Sequence, residues 1–148
     1  KLVCEPSTLI GFADSGAHIR NMAFYNFGVR LLKLVRDAEL RGQPVMPIET
    51  AIWRLTGELG EWFDIDAGRL YEGARADLVI IDPSALDESL ASYQEAPMEA
   101  FGGLQRMVNR GAAVDAVLIN GRIAFQQSEF ASDLGHARGY GQFLRSST

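Results

Sequence analysis

The chain has 148 residues and a formal net charge of −5, with 47 % hydrophobic and 22 % charged residues, an ordinary globular composition long enough to bury a core as one domain or as parts of two. Its basic residues are spread along the chain and not clustered, which argues against nucleic acid or an anionic membrane as the main partner. No apolar run approaches the roughly 20 residues of a membrane span and no signal-peptide pattern opens the chain; Cys4 is the single cysteine, so an internal disulfide is excluded, in keeping with a cytoplasmic compartment.

The first residue is Lys1, not methionine, and a processed or truncated start is expected. A β-prone run predicts a strand over roughly residues 8–13 that stops at Asp14, followed by a small-residue loop with Ser15, Gly16 and Ala17 leading to His18. A carboxylate at the end of a buried strand is costly to desolvate unless a metal, a cation or a reacting proton compensates it. In parallel α/β architectures the C-terminal ends of strands are where chemistry collects. On its own residues Asp14 reads either as a loop or capping carboxylate or as a catalytic base. His18 reads either as a satisfied polar contact or as a ligand, and Arg20 as a surface ion pair or an anion contact.

A helix is predicted over about 24–41, with Phe24, Phe27, Leu31, Leu34 and Ala38 on one face and Arg30, Lys33, Arg36 and Arg41 on a solvated one. Gly42-Gln43-Pro44 ends it. A second helix starts near Pro47, with Ile48, Ile52 and Leu55 as its apolar face. A break at Thr56-Gly57 precedes a short helical turn over 58–63 and then a turn over 64–68. Trp53, Trp62 and Phe63 are expected to pack between the helices and the β segment.

The period then changes. Residues 78–81 read as a buried strand, with Asp77 and Asp82 as turn-forming carboxylates on either side. Residues 84–103 read as irregular because of Pro97 and Gly102-Gly103. Residues 114–119 and 122–125 flank Asn120-Gly121, a strong hairpin signal, since a type I′ turn needs positive φ at both central residues. The tail from Ser128 is expected to be loosely packed. Cys4 reads as a buried or idle thiol, and no role is assigned to His136.

Three segments, in order, resemble the C-terminal part of the amidohydrolase superfamily, closest to the N-acyl-D-amino-acid deacylase (D-aminoacylase) branch. Ile10-Gly11-Phe12-Ala13-Asp14-Ser15-Gly16-Ala17-His18 is similar to the family's last barrel strand and its terminal aspartate. Gly68-Arg69-Leu70-Tyr71-Glu72-Gly73-Ala74-Arg75-Ala76-Asp77-Leu78-Val79-Ile80-Ile81-Asp82 is similar to the return from the barrel helices to a small β-sandwich, and Val117-Leu118-Ile119-Asn120-Gly121-Arg122 to its closing hairpin. The resemblance spans roughly residues 6–126. It implies an α/β fold in two units: residues 1–64 as the last strand and C-terminal helices of a (β/α)8 barrel, and 65–148 as part of an accessory β-sandwich plus tail.

The resemblance also implies a function. Asp14 would take a proton from a metal-activated water, hand it to the leaving amine and touch the metal; His18 would contact the substrate's carboxylate and Ser15 border the same pocket. The cofactor would be one or two divalent metals, zinc foremost, held mostly by residues outside this chain. With His18 and His136 as its only histidines, the chain lacks the three-ligand set of a catalytic zinc site. It is therefore expected to be inactive alone and to act within a full-length enzyme on small N-acyl-D-amino acids, with a homo-oligomer allowed. Ring opening by a dihydroorotase-like cyclic amidohydrolase and a self-standing, non-catalytic interaction module are the competing expectations. A sheet edge left unpaired in the isolated chain is expected to cause aggregation or poor order.

Overall fold

In the computed structural model, which describes residues 2–11, 25–99, 102–108 and 111–146, the helical period gives way to the strand period where the sequence changes character. Helices α1 (Phe27–Leu40), α2 (Ile48–Leu55) and α3 (Gly57–Trp62) come first. They are followed by β1 (Leu78–Ile81), β2 (Gln94–Met98), β3 (Leu104–Val108), β4 (Val114–Ile119), β5 (Arg122–Gln126) and β6 (Glu129–Phe130). The result is a mixed α/β arrangement with antiparallel sheets, one of order β1-β4-β5-β6 and a separate pair β2-β3. No helix among the described residues is long and apolar enough to cross a membrane.

Residues 8–11 belong to no strand, in contrast to the strand expected over 8–13, of which residues 12 and 13 lie outside the described residues. A strand needs a neighbour to satisfy its N–H and C=O groups, and no described segment forms a ladder with this one.

Helix α1 buries Leu31 and Ala38 as expected, but adds Leu32 and Val35, so its inward face is rotated from the expected one and Leu34 is 46 % exposed. The reason is the second layer it meets. Short 3-10 turns at Pro83–Ala85 and Glu88–Ala91 bring Leu86 and Leu90 against α1, where with Ala51 of α2 and Ala113 they make the core. The basic residues expected on a solvated face of α1 instead hold this segment. Arg36 donates to Leu86 O at 3.2 Å, and Lys33 bridges Asp37 and Glu88 at 2.5 and 2.7 Å.

In α2 the inward residues are Ala51 and Arg54, while Ile52, expected on the apolar face, is exposed. Thr56, at φ −134° and ψ −83°, breaks the helix before α3 as the Thr-Gly pair suggested. Trp53, Trp62 and Phe63 are 44 %, 64 % and 55 % exposed, so they do not fill a helix–sheet interface among the described residues. Trp62 and Phe63 stack edge to face on each other at 4.7 Å.

The Asn120-Gly121 hairpin forms with both residues at positive φ, 51° and 78°. Asp77 accepts the Asn120 N–H at 2.7 Å and Gly121 N donates to Ala76 O, so the turn is tied to the start of β1. Asp82 accepts from Ser84 N at 2.7 Å. Both are the turn carboxylates the sequence suggested. β1 itself is not buried: it lies at the sheet edge, with Val79 and Ile80 exposed. One further expectation is overturned and another is narrowed, since the described tail from Ser128 is mostly exposed but is fastened at a few side chains. The segment taken as irregular holds β2, with Pro97 opposite Gln105; in a two-stranded sheet each strand is an edge, where a missing N–H is tolerated. The tail is anchored, with Tyr140 buried, its hydroxyl donating to Asp133 at 2.5 Å, and Arg122 bonded to Asp133 and to Arg138 O. Cys4 is exposed, its Sγ 3.4 Å from Val45 O.

Candidate functional site

Asp14, Ser15 and His18, and Arg20 beside them, lie outside the described residues. What the structure describes is how the chain is held on either side of them. Upstream, a 3-10 turn at Leu2–Cys4 is followed by a turn closed by Thr8 N donating to Glu5 O at 3.0 Å. Carbonyls of this stretch then converge on one side chain of α2. The Arg54 guanidinium donates through Nη1 to Val3 O, and through Nη2 to Glu5 O at 3.1 Å and to Thr8 O. Its Nε donates to Glu58 Oε2 at 3.1 Å, one helical turn on. Gly11 passes the side chain of Leu59 so closely that an added Cβ would stand 3.1 Å from it.

Downstream, the chain re-enters at Tyr25 and Asn26, just before α1. Asn26 Nδ2 donates to Leu90 O at 2.8 Å, the Tyr93 hydroxyl donates to Asn26 Oδ1 at 2.9 Å, and Arg30 Nη1 donates to the Tyr93 oxygen at 3.1 Å. Tyr25 meets Tyr93 edge to face, with centroids 6.4 Å apart. The described chain is therefore hydrogen-bonded to α2 over residues 3–8 and to the 83–93 segment at Asn26.

An open groove of about 600 Å³ is lined by Ile10, Leu31 and Leu34 together with the charged Lys33, Asp37 and Glu88. The hydrogen bonds from Lys33 to Asp37 and then to Glu88 push the lysine above its ordinary pKa, and the same Lys33 contact holds Asp37 below the usual carboxylate range. Lys33 and Asp37 are therefore charged and paired with each other at neutral pH, unlike a proton-transfer pair, which needs a pKa near the working pH. Among the described residues no group of three or more His, Cys, Asp or Glu side chains is placed to hold a metal. The described residues do not form the donor set that a hydrolytic zinc requires.

Arg54, Asn26 and Tyr93 are absent from the candidates that the sequence offers. Arg54 did leave a signal: it stands three residues after Ala51 and four before Glu58, in phase with the inward face of α2. No short-range pattern links Asn26 to Tyr93 across 67 residues.

No protein-family model matches the chain. Uncharacterised proteins of Mycobacterium tuberculosis and Mycobacterium bovis are 53 % identical to it over 147 residues, 99 % of this chain and 24 % of theirs. A D-aminoacylase from Alcaligenes xylosoxydans xylosoxydans is 32 % identical over 87 residues, 58 % of this chain and 16 % of that protein. A crystal structure of a D-aminoacylase, described as defining a subset of the amidohydrolases, superposes with a TM-score of 0.49 and 22 % identity over 79 % of this chain and 20 % of its own. The chain spans about a quarter of the length of the mycobacterial relatives it matches. It has a distant similarity to D-aminoacylase, an amidohydrolase.

Proposed function

We propose that this chain is the C-terminal part of a metal-dependent amidohydrolase that cleaves the amide C–N bond of N-acyl-D-amino acids or similar small acylated substrates. Residues 1–64 belong, in this reading, to the end of a (β/α)8 barrel and residues 65–148 to an accessory β-sandwich with its tail. The observation that carries it is the 32 % identity to a D-aminoacylase over 87 residues, joined to the order along the sequence of the segment ending in Asp14, the 68–82 segment and the Asn120-Gly121 hairpin.

Asp14 is the base of the proposed reaction. Its carboxylate accepts a proton from the attacking water and delivers it to the nitrogen of the amine as the C–N bond breaks, so that water and amide become carboxylic acid and amine. His18 receives the substrate's carboxylate and Ser15 borders the pocket. A divalent metal, zinc foremost, would supply carbonyl polarisation and an acidified water when bound; Asp14 would touch it, and the remaining ligands would come from outside this chain.

The test is turnover by the complete protein, supplied with zinc, of a panel of N-acyl-D-amino acids beside cyclic ureides. Hydrolysis of the acylated amino acids is expected, and Asp14→Asn lowers kcat about 10²–10⁴-fold, the span of a lost general base. His18→Ala raises KM more than it lowers kcat. Turnover of the ureides alone makes the enzyme a ring-opening amidohydrolase. Wild-type kcat in Asp14→Asn removes Asp14 from the chemistry.

A further inference from the structure

Among the described residues, Arg54 is the charged side chain that the fold buries, at 4 % exposure. Burying a cation is expensive, and well-packed apolar residues often serve stability as well or better. Here the guanidinium has one carboxylate partner, Glu58, itself only 14 % exposed. Its other donors go to backbone carbonyls of Val3, Glu5 and Thr8, all within one six-residue stretch. That stretch belongs to no strand, so side-chain donors take the place of ladder bonds in fixing its course. The planar fork of an arginine holds several acceptors in fixed directions at once, which a lysine ammonium on a flexible stem does not do. Six residues beyond Thr8 stands Asp14.

We propose that Arg54 is a positioning residue: by gripping the carbonyls of Val3, Glu5 and Thr8 it fixes residues 3–11, the segment that precedes Asp14 in sequence, for the reaction proposed above. The inference rests on that reading for its catalytic half and on geometry alone for its anchoring half. It commits α2 to a role in catalysis without contact with the substrate. Glu58 holds the guanidinium in turn, so its replacement acts in the same direction and more weakly.

The experiment compares the complete protein with Arg54→Lys and Glu58→Gln variants by hydrogen–deuterium exchange, and by kcat against pH on an N-acyl-D-amino acid, normalised to the folded fraction. In Arg54→Lys, exchange across residues 3–11 is expected to quicken at least about tenfold while α1 stays protected, a reach consistent with loss of several bonds to a charged donor. Normalised kcat falls about 10- to 100-fold, the scale of a misplaced catalytic group, and the acidic limb of the pH profile moves by half a unit or more. A smaller folded fraction alone cannot move that limb. Glu58→Gln shows the same changes at lower amplitude, and it decides the matter if Arg54→Lys does not fold. Wild-type exchange at residues 3–11 in a folded variant overturns the anchor. Faster exchange with an unmoved profile and wild-type normalised kcat overturns the positioning role. A wild type inert towards every N-acyl-D-amino acid overturns the hydrolase reading and the positioning role with it, while the exchange comparison still decides the anchor.

Discussion

Two helical glycines carry opposite constraints, and the difference lies in what a methyl group would meet. In α3, a Cβ on Gly60 would stand 2.3 Å from the carbonyl oxygen of Ala67, a backbone atom of the turn that folds back over the helix. That turn is itself tied to Gly60, since Ile65 N donates to Gly60 O at 3.0 Å. In α1, a Cβ on Gly28 would meet only the Leu55 methyl groups, at 3.8 and 4.0 Å, which is ordinary contact. Gly60→Ala forces backbone apart and is expected to destabilise by about 2–4 kcal/mol, as overpacking against an atom that cannot rotate away does. Gly28→Ala removes chain entropy from the unfolded state and adds contact, for a gain of about 0.5 kcal/mol. Thermal or denaturant unfolding of the two variants gives shifts of opposite sign; a destabilised Gly28→Ala or a neutral Gly60→Ala contradicts the packing of α1 on α2 or of α3 on its turn.

At the level of elements, the tail is fixed by three side chains acting together. Arg122 on β5 bonds Asp133 at 2.8 Å and lies over the Tyr140 ring at 4.1 Å, while the Tyr140 hydroxyl closes the triangle on Asp133. Tyr140→Phe keeps the ring and loses the hydroxyl bond, so a cost of about 1 kcal/mol is expected. Amide exchange should rise across residues 131–140 while the β4–β5 hairpin stays protected; an unchanged tail means that ring packing alone holds it. None of this was legible in a Gly- and Ser-rich stretch, because the partner of Tyr140 is set by a fold-back onto β5 and not by periodicity. The hairpin was legible, because Asn120 and Gly121 encode their own φ values locally. The pair β2–β3 was hidden by Pro97 and Gly102-Gly103, which argue for loop in any strand except one that needs no second neighbour. Helix α1 was legible in extent to within three residues at its start, but its inward face depends on Leu86 and Leu90, more than 45 residues further on.

Across the whole molecule, the sequence names Asp14, Ser15 and His18 from their chemistry, and these lie outside the described residues; the structure adds the Arg54 anchor on residues 3–8, which the sequence did not offer because a buried guanidinium on carbonyls has no local signature. Carboxylates serve the same fastening purpose throughout the described fold. Asp37 is held below its ordinary pKa by Lys33, Asp77 by the Asn120 N–H, Asp82 by the Ser84 hydroxyl, Asp87 by Ser89 and Asp133 by the Tyr140 hydroxyl. Between them they tie α1, the 3-10 turns at Pro83–Ala85 and Glu88–Ala91, the hairpin and the tail. Each depressed carboxylate contributes stability that is complete above its unfolded pKa of about 3.9 and is lost as pH falls through the lower folded value. Lys33, Tyr71 and Tyr140 are shifted upward by their partners, so their contributions hold below their unfolded values of about 10 and are lost only in alkali. The melting temperature is therefore expected to be level with respect to these groups near neutrality and to fall progressively below about pH 4. The acidic fall should be shallower at high salt, where the repulsion among the cations left behind is screened. A melting temperature that holds from pH 6 down to pH 2.5 at low salt means that these aspartates do not fasten the fold.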